Sequence, residues 1–161
     1  MNKTLAAIGV TALLSGGVAA QGVVMQRNLS LSMAKMIAEA TLVECKAKGF
    51  NTAVAVVDRA GQVLVLMRDE QATMQMAEMA RRKAYTARMF RMSTAAFQKR
   101  TMEDPGYAPQ RDIADVLALG GGLPIQVGTD TFGGVGSAGS TQEMDESCAK
   151  AGIAKVAELL K

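Results

Sequence analysis

Apolar and polar positions recur with two different periods along the chain, and the switches between those periods predict its elements. From Leu29 onward, Met33, Met36, Ile37, Ala40, Val43 and Ala47 follow the i, i+3, i+4 spacing of one buried helix face. Ser30 or Ser32 is placed to cap that helix, Lys46 and Lys48 occupy its last turn, and Gly49 is placed to end it. Residues 52–57 and 62–67 are then strand-length runs around Asp58-Arg59-Ala60-Gly61, a turn with Asp first and Gly last. Both runs are apolar at nearly every position, so both faces of the sheet are expected to be covered.

The helical period returns over residues 74–91, where Ala77, Ala80, Ala84 and Ala87 form a small-residue face that lets a helix lie close to a sheet or a partner helix. Ser93-Thr94 can cap a further short helix through Phe97 and Arg100, and the Pro and Gly content of residues 102–110 predicts a long loop. Residues 113–119 are again apolar and lead into a glycine-framed stretch, GGGLPIQVGTDTFGGVGSAG. Its two runs, residues 123–127 and 131–135, flank Gly128-Thr129-Asp130 and predict a second hairpin. Gly120, Gly121 and Gly122 permit close approach of backbone to backbone or to a ligand, so they are either a bent strand end or a pocket wall. Past Gly139, Ser140 and Thr141 are cap candidates and Glu143, Asp145 and Glu146 suit the first turn of a closing helix. Ala149, Ile153, Val156 and Leu160 are its expected buried face. The order helix, hairpin, helices, hairpin, helix predicts an α/β (α+β) sandwich. Its central, mainly antiparallel sheet of about five strands is flanked by helices on both faces.

Residues 1–20 change the domain picture. Lys3, the apolar run 5–14 and the small residues Val18-Ala19-Ala20 are the pattern of a signal peptide whose apolar run is too short to span a bilayer. A single domain over residues 21–161, periplasmic or secreted and with no membrane span after cleavage, is the expectation. Without Lys3 the chain has 17 basic and 15 acidic residues, a balance that implies neither a nucleic-acid nor a membrane partner. Seven basic residues and no acid lie between Arg81 and Arg100 (Arg81, Arg82, Lys83, Arg88, Arg91, Lys99 and Arg100), either a solvated helix face or a site for an anion such as a carboxylate. Export would permit a disulfide between Cys45 and Cys148, although both fall on helical patterns and spacing does not show whether the sulfurs meet.

Histidine is absent, which excludes Ser-His-Asp and Cys-His catalysis, His-ligated zinc and His ligation of haem iron. Two cysteines build neither a Cys₄ zinc site nor an iron–sulfur cluster within one chain. There is no P-loop, and Gly133-Gly134-Val135-Gly136 lies in a hairpin, so it fails the context of a dinucleotide fingerprint. Of twelve methionines, Met67, Met74, Met76, Met79, Met89, Met92 and Met102 crowd one segment. Methionine is core filler and contact surface, but also a soft metal ligand, an axial ligand for haem iron and a conformable wall for flat ligands. Tyr85 and Tyr107 are the only phenolic candidates for iron.

Three runs carry a resemblance: AVAVVDRAGQVLVLMR from Ala53, ARRKAYTARMFRMST from Ala80, and GGGLPIQVGTDTFGGVGSAGSTQEMDESCAKAG from Gly120. In order and spacing they resemble the GlcG/HbpS-like haem-binding family, and the C-terminal domain of PduO-type cobalamin adenosyltransferases is similar. The resemblance covers nearly all of residues 21–161. It implies a small α/β domain that assembles into homo-oligomers and binds haem near subunit contacts. Gly136-Ser137-Ala138-Gly139 departs from the family's usual Gly-Val-Ser-Gly at the end of the last strand, and there is no histidine for an axial position. Bound haem would then rely on Met67, Tyr85, the Thr86 hydroxyl or no strong ligand, with Lys83, Arg88 or Arg91 facing its propionates.

The first functional expectation is therefore an exported haem-binding or haem-handling protein. An alternative is an oligomeric accessory subunit of an exported redox enzyme or sensor system, without catalysis of its own. A third is an enzyme acting on a small carboxylate held by Arg68, Lys83 and the Gly120, Gly121 and Gly122 wall. No acid/base pair is identifiable from spacing, which weighs against catalysis.

Overall fold

The computed structural model describes Gly22 and residues 25–160, so the signal-peptide pattern of residues 1–20 lies outside the described residues. Helices α1 (Leu31–Ala47), α2 (Gln75–Phe90), α3 (Thr94–Glu103) and α4 (Gln142–Ala154) surround strands β1 (Ala53–Val57), β2 (Val63–Arg68), β3 (Gly122–Val127) and β4 (Asp130–Ala138). The strands form one antiparallel sheet in the order β2-β1-β4-β3. This is the expected α+β class, with four strands where about five were expected. Residues 113–119 add none: Val116 N closes a turn onto Ile113 O, Asp115 is left-handed (φ 67°), and Leu117 N donates to Thr86 Oγ1 at 2.8 Å. Among the described residues no helix is long and apolar enough to cross a membrane.

The period of two in β1 divides the core. Val54 and Val56 pack with Ile37, Ala38, Ile125, Val135 and Ala149 beneath α1 and α4, whereas Ala53, Ala55 and Val57 meet Ala80 and Ala84 of α2 on the other face. The small face of α2 brings it into backbone contact with β4. A Cβ on Gly134 would stand 2.3 Å from Ala84 O, and one on Gly136 would stand 2.2 Å from Ala80 O. Helix α2 lies over β4 and β1, so β1 is buried throughout while β2, at the edge, leaves Val63 and Leu66 half-exposed. The expectation of two covered faces thus fails for β2.

Helix α1 is capped by Ser30, whose Oγ accepts from Met33 N at 3.2 Å, and Gly49 follows its end at φ +84°. Its buried stripe is rotated from the expected one and runs through Ala34, Ile37, Ala38, Thr41 and Cys45, leaving Val43 68% exposed. Small residues win that stripe because α4 comes close: a Cβ on Gly152 would overlap Thr41 Oγ1 at 2.0 Å, and the Thr41 hydroxyl is satisfied by Ile37 O at 2.8 Å. The same proximity joins Cys45 to Cys148 in a disulfide between α1 and α4, with 5.5 Å between the Cα atoms. Helix α4, capped by Thr141, ends at Ala154, and Val156 and Leu160 are buried beyond it.

Candidate functional site

The basic stretch from Arg81 to Arg100 separates into partnered and unpartnered cations once the chain is folded. Arg81 pairs with Glu78 and Asp115, Arg82 donates to Val116 O, and Arg100 donates to Gln110 Oε1. Lys83 points into the protein. Its Nζ lies 2.8 Å from Asp145 Oδ2 and 2.9 Å from Ser137 O, with both side chains of the pair about fully buried (1% and 2% exposed). The other Asp145 oxygen accepts from Ser140 N and Oγ and from Ser137 Oγ, and that hydroxyl lies 3.8 Å from Cys45 Sγ. Burial pulls the Lys83 ammonium below the ordinary lysine value, and the facing carboxylate opposes the shift.

Gly121 and Gly122 are brought to Lys83, but as packing against it, whereas Gly120 lies against Ala95 and Gln142, to whose Oε1 its N–H donates at 2.7 Å. A Cβ on Gly121, at φ +116°, would stand 2.7 Å from Asp145 Cβ and 2.8 Å from Lys83 Nζ; one on Gly122 would stand 2.5 Å from Lys83 O. Asp145 fills the space that a small carboxylate beside Lys83 would need. Thr86 is also internal: its hydroxyl donates to Arg82 O and accepts from Leu117 N, tying α2 to residues 113–119. Met67 opposes Val54 in the sheet and packs on the α1/α4 face, away from α2. Arg68 donates to the carbonyls of Asp69 and Ala72 just beyond β2.

Tyr85, Arg88 and Arg91 gather around the β1–β2 turn. The Tyr85 ring and Met89 Sδ lie against Gly61, where an added Cβ would stand 3.0 Å from Tyr85 Cδ2. The Tyr85 hydroxyl makes no hydrogen bond among the described residues. From this turn an apolar strip runs along the edge of the α2 layer. Val63 and Leu66 oppose Val57 and Ala55, so they face that layer, where Met76 and Met79 pack. Met89, Val63 and Leu66 are 45%, 43% and 47% exposed, enough for a flat apolar ligand to cover. Met74 and Met102 are solvent-exposed, so the methionine-rich segment does not form one cluster. Arg88 and Arg91 share a cleft with Arg59 on the other side of the turn.

Sequence reasoning passed over Arg59, Ser137, Val63 and Leu66. Arg59 is visible only as a basic residue in a hairpin turn, and Ser137 sits at the departure from the family's usual Gly-Val-Ser-Gly. The edge position of β2 leaves no mark in its composition.

A groove of about 540 Å³ between α3 and α4 holds none of the sequence-predicted site residues, but it contains Glu143, Glu146 and Lys150. Burial raises the Glu146 carboxyl above the ordinary 4.5, Lys150 opposes this and Glu143 adds to it. A raised folded-state value means that the folded protein binds more protons, so stability present below pH 4.5 is lost as pH climbs through the folded value. Glu146→Gln is therefore expected to raise the thermal midpoint at pH 7, with the difference shrinking towards pH 4. Equal midpoints at pH 7 would contradict this.

The family model described as "Haem degrading protein HbpS-like" matches residues 29–154. A Citrobacter freundii relative, described as an uncharacterized 15.0 kDa protein in the dhaT-dhaS intergenic region, is 32% identical over 137 residues, 81% of this chain and 94% of that protein. A double mutant of Streptomyces reticuli HbpS has a TM-score of 0.78 at 34% identity, covering 87% of this chain and 96% of that one. The PduOC:heme complex shares the fold at 24% identity, with a TM-score of 0.72 over 80% of this chain and 95% of that one. With the match spanning α1 to the end of α4 on a fold shared with HbpS, this chain belongs to the HbpS-like family.

Proposed function

We propose that this protein is an exported haem-binding or haem-handling protein whose ligand lies on the apolar strip between α2 and β2. Family membership supplies the ligand class. The observation that carries the location is the strip itself, where half-exposed Val63, Leu66 and Met89 flank a Tyr85 hydroxyl with no internal partner. These residues fit haem: apolar side chains suit the macrocycle, and a phenol and a thioether are donors that haem iron accepts. Arg88 and Arg91, beyond the β1–β2 turn, are cations within the chain's reach for its carboxylates. Bound haem would supply the iron and its redox chemistry; the chain supplies the apolar bed and the donors. The pattern of residues 1–20 and the Cys45–Cys148 bridge support export.

Optical titration of the purified protein with haem tests this. A saturable Soret shift is expected, displaced in Tyr85→Phe and unchanged in Met67→Ala, which alters the opposite face of the sheet. A flat titration would sink the reading. The weight would then pass to the oligomeric accessory subunit, for which the exposed Leu31 and Val43 of α1 and the open edge of β2 are contact surface; a single monomeric species by size would count against it.

A further inference from the structure

Gln26, Asn28, Arg59, Ala60, Arg88 and Arg91 line a cleft of about 440 Å³ beside the C-terminal end of α2. One oxygen of each nearby acceptor is already engaged. Asn28 Oδ1 accepts from Leu29 N and Arg59 N, Asp130 Oδ1 takes the Arg59 guanidinium, and Asp58 Oδ1 takes the turn amides of Ala60 and Gln62. Its strongest donors are not occupied. The Arg88 and Arg91 side chains make no hydrogen bond or ion pair among the described residues, and Arg88 Nε is buried without a partner. An unpaired buried donor is costly, and like charges sharing a cleft add to that cost. Arg91 is also left-handed at the end of α2 (φ 54°), where glycine would sit without strain. Burial, Arg59 and Arg91 all pull the Arg88 guanidinium below its ordinary value, against Asp58 and Asp130, so an arriving anion would relieve the site.

We propose that this cleft binds a small free dicarboxylic acid, with Arg88 and Arg91 each taking one carboxylate and Arg59 adding to the field. Planar guanidinium forks match carboxylates in bidentate fashion. Ala60 alone among its lining residues is apolar, so a macrocycle finds no bed there. The haem reading gives the same two arginines to propionates, which carry the same chemistry, so the two ligands would compete for them and the test separates the two sources.

Calorimetric titration of the full chain with succinate, and separately with inorganic phosphate, is carried out at fixed ionic strength set by chloride. Saturable succinate binding is expected, tighter than phosphate, and weakened about ten- to hundredfold in Arg88→Gln and in Arg91→Gly. Arg91→Gly relieves the left-handed backbone, so its thermal midpoint should be no lower than the parent's and a failure to fold does not confuse the result. Lys99→Gln, on α3 outside the cleft, should bind like the parent. Absence of saturable succinate binding, phosphate binding as tightly as succinate, or undiminished binding in both arginine variants would each overturn the proposal. So would arginine variants that weaken only a haem titration, which would assign the cleft to propionates.

Discussion

Replacing Cys45 and Cys148 together with alanine is expected to lower the stability by about 4 kcal/mol, because the bridge closes a very long loop. The two sulfurs join residues 103 apart, tying the first helix to the last and enclosing the whole sheet with α2. Without the link, the unfolded chain regains the freedom to separate those ends. For a domain of this size that loss corresponds to a fall of about 10 °C or more in thermal midpoint. The same fall should follow from adding a reductant to the parent protein, and the double variant should no longer respond to reductant. A midpoint unmoved by both treatments would show that the bridge contributes nothing.

Lys83→Met should be nearly as damaging, at about 3–5 kcal/mol, since it leaves a buried carboxylate without its counter-charge. Asp145 would keep its bonds from Ser140 and Ser137 but face an apolar side chain, and the Ser137 carbonyl would lose its donor. Asp145→Asn tests the other partner, and adding it to Lys83→Met should cost less than the two separate losses combined, with a coupling of about 1–3 kcal/mol. Denaturant unfolding of the four proteins measures this; additive losses would refute a coupled pair. Ser137 stands between the pair and the disulfide, 3.8 Å from Cys45 Sγ, so removal of the bridge and of Lys83 should also combine non-additively. This polar cluster ties α2, β4, α4 and α1 together beneath the glycine segment.

The elements of this protein were legible in its sequence wherever the physics is local. Apolar periodicity set α2 and the cores of both hairpins, and Asp58 to Gly61 and the Gly128 turn placed the reversals. Ser30 and Thr141 marked helix starts through bonds only three residues long. The alanine face of α2 announced a close approach, which the glycines of β4 complete. The family, too, was readable from three motif runs.

What depended on distant segments was not legible. The α1 stripe was misjudged because both candidate faces are apolar enough, and the choice was made by α4 packing against Thr41 through Gly152. That β2 is an edge strand, and so exposes the strip beside Tyr85, follows from strand order rather than from its own residues. Among the cations, Lys83 and Arg88 look alike on the page five residues apart. One finds Asp145 across 62 positions and becomes structure, whereas the other feels Asp58 and Asp130 only through space and forms no ion pair among the described residues. Sequence alone therefore determined which segments are helix and strand and which family they compose, because those follow from neighbours along the chain. Only the tertiary structure decided which charges are neutralised, which sulfurs meet and which apolar face stays open, because each depends on the through-space approach of groups that the chain keeps far apart.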